Sequence, residues 1–123
     1  MSDFTEFSGN ILESDDSRFL SFEILNMANG GKDIEVEIEE VIRAKAGSKF
    51  ENGQPMNADV PIVVFKGEGV VTRRMWYVQA KTNQRRLGNL LGPIIDKWAG
   101  RKITLYPDPH VGFAGRKGGI RIR

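Results

Sequence analysis

Asp33-Ile34-Glu35-Val36-Glu37-Ile38-Glu39-Glu40-Val41-Ile42 is the stretch on which the fold turns. From Asp33 to Glu39 acidic and apolar residues alternate strictly. Ile34, Val36 and Ile38 therefore fall on one face of a strand, and Asp33, Glu35, Glu37 and Glu39 on the other. The doublets Glu39-Glu40 and Val41-Ile42 then break the phase. A long strand whose phase changes midway is expected to carry a bulge and to bend there. Downstream, residues 45–59 are rich in turn formers and read as a long loop or loose hairpin. Val60 to Lys66 is β-branched and apolar, a second strand. Val70 to Gln79 supplies a third, with Arg73, Arg74, Trp76 and Tyr77 on it, and the two are expected to pair antiparallel.

Thr82 reads as an N-cap ahead of Leu87, Leu90, Leu91, Ile94, Ile95 and Trp98, spaced as one helical stripe requires. Gly92-Pro93 interrupts this stripe and predicts two short consecutive helices, the second ended by Gly100. Arg101 to Tyr106 alternates as a fourth strand, with Pro107-Asp108-Pro109 expected to stop it. A loop from Gly112 to Gly119 leads to a last strand, Gly119 to Arg123, with Ile120 and Ile122 inward and Arg121 and Arg123 outward. Upstream, Ser21 caps a short helix carrying Phe22, Leu25 and Met27, which Asn29-Gly30-Gly31 ends. Residues 1–17 show no sustained period and read as an acidic, partly ordered arm, leaving 18–123 as a single domain. Three strands, a helical segment and two strands, the first strand bent, is the order of a mainly β, five-stranded Greek-key barrel, the OB-fold, with its helix between strands three and four. An SH3-like barrel is the rival, but it does not normally hold so long a helical insertion.

The chain has 123 residues, no Cys and a single histidine, His110. Disulfide scaffolds, thiolate metal sites, Cys nucleophiles and any chemistry needing a His pair are thereby excluded. The expectation is a protein that is not an enzyme and takes no cofactor and no metal. No apolar run reaches the ~18 to 20 residues of a membrane span, and the first 17 residues lack the cations of a secretory signal, so a cytoplasmic protein is expected. Charge is divided along the chain. Residues 1–40 hold 11 Asp or Glu against two cations, a net −9, whereas residues 41–123 hold five acids against 16 Lys or Arg, a net +11. A basic body of this kind attracts polyanions and points to nucleic acid, against the plainer alternative of solvated surface charge.

Ala80-Lys81-Thr82-Asn83, a helix, the run Lys97 to Asp108 containing Trp98-Ala99-Gly100-Arg101-Lys102-Ile103-Thr104-Leu105-Tyr106-Pro107, and the closing Gly119-Ile120-Arg121-Ile122-Arg123 resemble a group of small tailed-bacteriophage proteins. Those proteins share a K-T-N turn, a W-x-G-K/R-x-I-T-L-Y-P segment and a final I-R-V/I-R strand. The resemblance covers roughly residues 78–123 and, more weakly, the first strand. It implies an OB-like fold from a phage early region, and single-stranded DNA binding in replication or recombination inside the host cell. The chain departs from bacterial single-stranded DNA-binding proteins in ending on a basic strand and keeping its acids at the other terminus.

An OB-fold binds oligonucleotides on the face of strands two and three and between the loops joining strands one to two and four to five. The first of these loops carries Lys45, Lys49 and Phe50. The second carries Phe113, Arg116 and Lys117 among glycines that allow close backbone approach to a phosphate. Strand three adds Arg73, Arg74 and Trp76, strand four Lys102 and Tyr106, and strand five Arg121 and Arg123. Cations beside aromatic rings are what sequence-tolerant single-strand binding needs. Strand three has an Arg on each face, so alternation does not decide which ring is outside. Trp76 and Tyr106 are read as exposed and Tyr77 as core. Lys81, Arg85 and Arg86 read as a solvated helix face, although cations there oppose the helix dipole and so hint at an anionic partner.

Gly30-Gly31-Lys32 lacks the spacing of a phosphate-binding loop, and His110 and Asp15-Asp16 have no local ligand partners. The arm, with five acids and no cation among Phe4 and Phe7, resembles a short mimic of single-stranded DNA able to occupy a basic groove and, once released, to recruit phage or host replication proteins. The alternatives are a protein-interaction module and an RNA-binding OB protein. Oligomeric state is left open, a homodimer being allowed.

Overall fold

A computed structural model of the chain describes residues 4–5, 19–50, 53–67, 73–113 and 116–123, with side chains left out for 4–5 and 112–117. Its elements in chain order are β1 (Phe4–Thr5), α1 (Phe22–Ala28), β2 (Ile34–Ala44), β3 (Ile62–Phe65), β4 (Met75–Tyr77), α2 (Lys81–Leu91), a 3₁₀ turn (Ile95–Lys97), β5 (Lys102–Phe113) and β6 (Arg116–Ile122). The phase break is a real discontinuity. Before it, β2 pairs with β5, from Ile34 opposite Leu105 to Glu37 opposite Lys102. After it, β2 pairs with β3, and the register shifts between Ile38 and Glu40. One extra residue bends the strand there, so Val41 joins Ile34, Val36 and Ile38 in the main core while Ile42 faces a second apolar cluster.

The resulting antiparallel sheet runs β4-β3-β2-β5-β6, with β1 parallel to the end of β2 opposite Arg43 and Ala44. The strand and helix order matches the sequence reading. The closed barrel does not: β4 and β6 stand at opposite ends of the sheet. The physical reason lies on the edge of β4. Phe19 bridges Met75, and the Leu20 N–H donates to the Met75 carbonyl at 2.7 Å, so the lead-in to α1 takes the hydrogen bond that a closing strand would need. From there α1 starts at its expected cap, Ser21 Oγ accepting from the Ile24 N–H. The ring of Phe22 rests on Gly118, where φ is +94° and a Cβ would come within 2.6 Å of the ring.

Four features of the sequence reading need correction around the second helix and the last hairpin. α2 begins at Lys81 with Ala80 as its cap residue, so Thr82 is an exposed first-turn residue and caps nothing. The start is fixed by side chains instead: Gln84 Nε2 donates to the Val78 carbonyl and Asn83 Nδ2 to that of Ile120. Leu87, Leu91 and Trp98 are buried as expected, but Leu90, at the edge of the buried stripe, is 39% exposed, and Ile94 is 51% exposed because the backbone leaves the helix at Gly92 and the stripe does not continue straight. The indole N–H of Trp98 closes this corner on the Gly92 carbonyl.

β5 runs through Pro107 and Pro109 rather than stopping there. Thr104 presents its carbonyl to β6, accepting from the Arg123 N–H. Alternate residues turn the same way, so the prolines face the other side, where β5 has already passed the end of β2 at Ile34 and no donor is required. The expected loop from Gly112 to Gly119 is mostly strand: Phe113 pairs with Arg116 and Gly112 with Lys117. Among the described residues no helix is long and apolar enough to cross a membrane.

Both tryptophans belong to the main core, each 4% exposed. Trp76→Ala and Trp98→Ala are each expected to cost about 3–5 kcal/mol of unfolding free energy, read from urea denaturation midpoints. A loss below about 0.5 kcal/mol at Trp76, the range of surface substitutions, would contradict its burial here.

Candidate nucleic-acid interface

The face expected to take a ligand, the outer side of β3 and β4, is covered by the chain itself. All four residues of β3 are buried: Val63 and Phe65 in the main core, Ile62 and Val64 in the second cluster. That cluster is closed by Phe19 and by the connection between β2 and β3, which folds back as a loose hairpin, the Phe50 N–H donating to the Gln54 carbonyl and the Met56 N–H to that of Ser48. The rings of Phe19, Phe50 and Tyr77 meet pairwise at 5.9, 5.8 and 5.1 Å between centroids. Tyr77 Oη accepts from the Asn57 N–H, and burial raises its phenol above the ordinary tyrosine value.

Phe50 is therefore half-buried in an aromatic cluster, while Lys45 and Lys49 are exposed beside it. The reading of Trp76 as an exposed platform is wrong: its ring lies in the core, stacked over Phe65 at 6.5 Å. β4 has apolar neighbours on both sides, so the face that alternation would call outer is Tyr77's, and that face is half-buried too.

Carboxylates across the sheet engage several of the cations expected to be available to a ligand. Asp33 receives Arg123 through two bonds of 2.9 and 3.0 Å. Glu39 receives Arg74 at 2.8 Å, and Arg74 also donates to the Phe65 carbonyl. Glu37 pairs with Lys66 and stands opposite Lys102. The hydrogen bond from Arg123 holds the Asp33 carboxyl below the usual range, and that from Lys66 does the same for Glu37. Arg123 lies 3.9 Å above the centre of the Tyr106 ring and occupies that face of a half-buried side chain. Arg73 is half-buried and donates to the Phe19 carbonyl. Arg121 is half-buried against its own strand. Phe113, Arg116 and Lys117 have their backbones in the β5–β6 hairpin, and their side chains lie outside the described ones.

The unmatched charge is elsewhere. Between Lys81 and Lys102 stand six cations, Lys81, Arg85, Arg86, Lys97, Arg101 and Lys102, against Asp96 alone. All six are exposed, and among the described residues none has a carboxylate within ion-pair distance. On α2, Lys81 and Arg85 lie one turn apart, opposite the buried stripe Asn83, Leu87 and Leu91. In the sequence Lys81, Arg85 and Arg86 read as a solvated face with a hint of an anionic partner; the signal that marks them is a helix with three cations and no acid. Among the described residues no three metal-ligating side chains converge.

No family model matches the chain, and no curated protein or solved structure does.

The Asp33–Arg123 pair fixes the direction of a pH effect. Asp33 has a lowered folded-state value, so its contribution to stability is present above the unfolded carboxyl value and is lost as pH falls through the folded one. Asp33→Asn should lower the melting temperature at neutral pH, and its difference from the parent should shrink on acidification as the carboxyl becomes protonated in the folded state too. A difference that persists undiminished at acid pH would refute this assignment.

Proposed function

We propose that the protein binds single-stranded DNA with little sequence preference, as an opened OB-type module serving replication or recombination of a tailed-phage genome in the host cytoplasm. The observation that carries this reading is the run of six exposed cations from Lys81 to Lys102, none within ion-pair distance of a carboxylate among the described residues and only Lys102 standing opposite one, Glu37. Cations at the start of a helix oppose its dipole, and an anionic partner relieves that repulsion. Their number suits a polymer of phosphates better than a single acidic ligand. The strand order supports the OB assignment, since a partly open five-stranded Greek-key barrel places a helix between its third and fourth strands. In this reading the site moves from the outer face of β3 and β4, which the chain covers, to the exposed side of α2 and the turn after it, with Lys102 at its border. Arg74 and Arg123 hold carboxylates and stabilise the sheet. The strand runs past the helix as an electrostatic track, and bases that reach apolar surface add the remaining affinity.

The test is fluorescence anisotropy of labelled oligo-dT, oligo-rU and duplex DNA across a salt series. Oligo-dT is expected to bind more tightly than duplex, with affinity falling as salt rises. The double variant Lys81→Glu, Arg85→Glu should lower the log–log salt slope by about 1.4, at about 0.7 for each phosphate no longer neutralised. Salt-independent binding, or tighter binding of duplex, contradicts the proposal. Tighter binding of oligo-rU would reassign it to RNA. No binding to any of the three would favour a protein-interaction module, for which the exposed Leu90 and Ile94 beside the basic face are the starting point.

A further inference from the structure

The gap left between β4 and β6 contains a cleft of about 270 Å³. Five pieces of chain wall it: the lead-in and first turn of α1, the β4 residues Trp76 and Tyr77, the start of α2, Val111 of β5, and Gly118 to Arg121 of β6. Two strand edges face this gap, which makes an added β-strand the first occupant to consider. It does not fit. The Ile120 carbonyl, an acceptor on the outer edge of β6, is taken by Asn83 Nδ2 at 2.8 Å, and the Met75 carbonyl on the edge of β4 by the Leu20 N–H at 2.7 Å. The volume is also below the 300–1,000 Å³ of sites for drug-sized ligands, and it suits one planar ring.

The lining chemistry narrows the choice. Trp76 and Ile120 supply apolar surface, Ser21, Gln79 and Asn83 supply hydroxyl and amide groups, and Arg121 is the one cation. A lone phosphate would meet a single cation beside the Glu23 carboxylate and apolar walls, whereas an aliphatic group would bury the polar lining without partners. Gln79 and Ala80, which border the cleft, immediately precede Lys81, the first cation of α2, whereas Asn83 lies across the helix from Lys81 and Arg85. A strand held by Lys81 would therefore reach the opening around the N-terminal end of α2.

We propose that the cleft receives one nucleobase of the bound strand, with Arg121 engaging the adjoining phosphate. This rests on the single-strand reading given above and adds to it a site of defined size at the opened seam of the sheet. The bound base lies in the cleft to whose apolar wall Trp76 and Ile120 contribute, and its polar edge meets Gln79 and Ser21, since Asn83 is committed to the Ile120 carbonyl.

The test compares oligo-dT with an abasic oligodeoxynucleotide of the same length on the full-length protein, reading anisotropy and the amide chemical shifts of Gly118, Gly119 and Ile120. Oligo-dT is expected to bind about tenfold more tightly and to move those amides, while the abasic strand binds through its phosphates and leaves them in place. Ala80→Leu, which extends a lining side chain, should bring oligo-dT down to the abasic affinity without changing abasic binding. If that variant does not fold, the shifts on the parent protein still decide. Equal affinities, or oligo-dT binding with those amides unmoved, overturn the cleft and leave the single-strand reading standing. Failure of both strands to bind overturns both.

Discussion

The register shift between Ile38 and Glu40 organises the sheet, because it turns the side chains of β2 over midway, so that Val41 and not Ile42 continues the core face of Ile34, Val36 and Ile38. A straight strand keeps one set of side chains on one face throughout. With one residue inserted, the first half of β2 lies beside β5 and the second beside β3, and the sheet curls about the core formed by Ile34, Val36, Ile38 and Val41. Curling brings β4 and β6 toward each other from opposite ends. The chain then spends its own Phe19 and Leu20 on the edge of β4, and α1 follows into the space between. The open seam, the cleft in it and the position of α2 all derive from that arrangement.

Burial on both sides of β3 is the second constraint. A strand covered on one face reads as an alternation; one covered on both reads as a continuous apolar run, as Ile62-Val63-Val64-Phe65 does. The cover over its outer face is the chain's own β2–β3 connection, held by Met56, Phe50 and the bond from the Asn57 N–H to Tyr77 Oη. Across β2 and its neighbours, acids and cations pair, whereas among the described residues the cations of α2 have no carboxylate within ion-pair distance.

Part of this is legible in the sequence, and the rest is hidden for physical reasons. Alternation from Asp33 to Glu39, the doublet that breaks it, the Ser21 cap and the inward Ile120 and Ile122 are local signals, and the structure keeps each of them in place. Trp76 misleads because Arg73 and Arg74, which lie just before β4 in the structure, put an Arg on each face of the longer strand that the sequence suggests and erase the contrast that alternation depends on. Pro107 and Pro109 look like a stop because a missing N–H matters only where a neighbour needs it, and only the pairing register reveals that β2 has already ended. The Asp33–Arg123 pair joins positions 90 residues apart, and no local pattern announces it. For the site, the residue types are legible and their availability is not: Arg74 and Arg123 are already engaged, whereas Lys81, Arg85 and Arg86 stand free of carboxylates among the described residues.

The central claim is that the covered face of β3 and β4 stays covered while ligand binds beside α2 and the seam. Hydrogen–deuterium exchange of the full-length protein, with and without saturating oligo-dT, tests it most directly. The account predicts slowed exchange in residues 79–91 and 118–123 with no change in residues 45–57 and 62–65. Slowed exchange concentrated in residues 62–65, together with faster exchange in 45–57 as that connection lifts from the sheet, would contradict it.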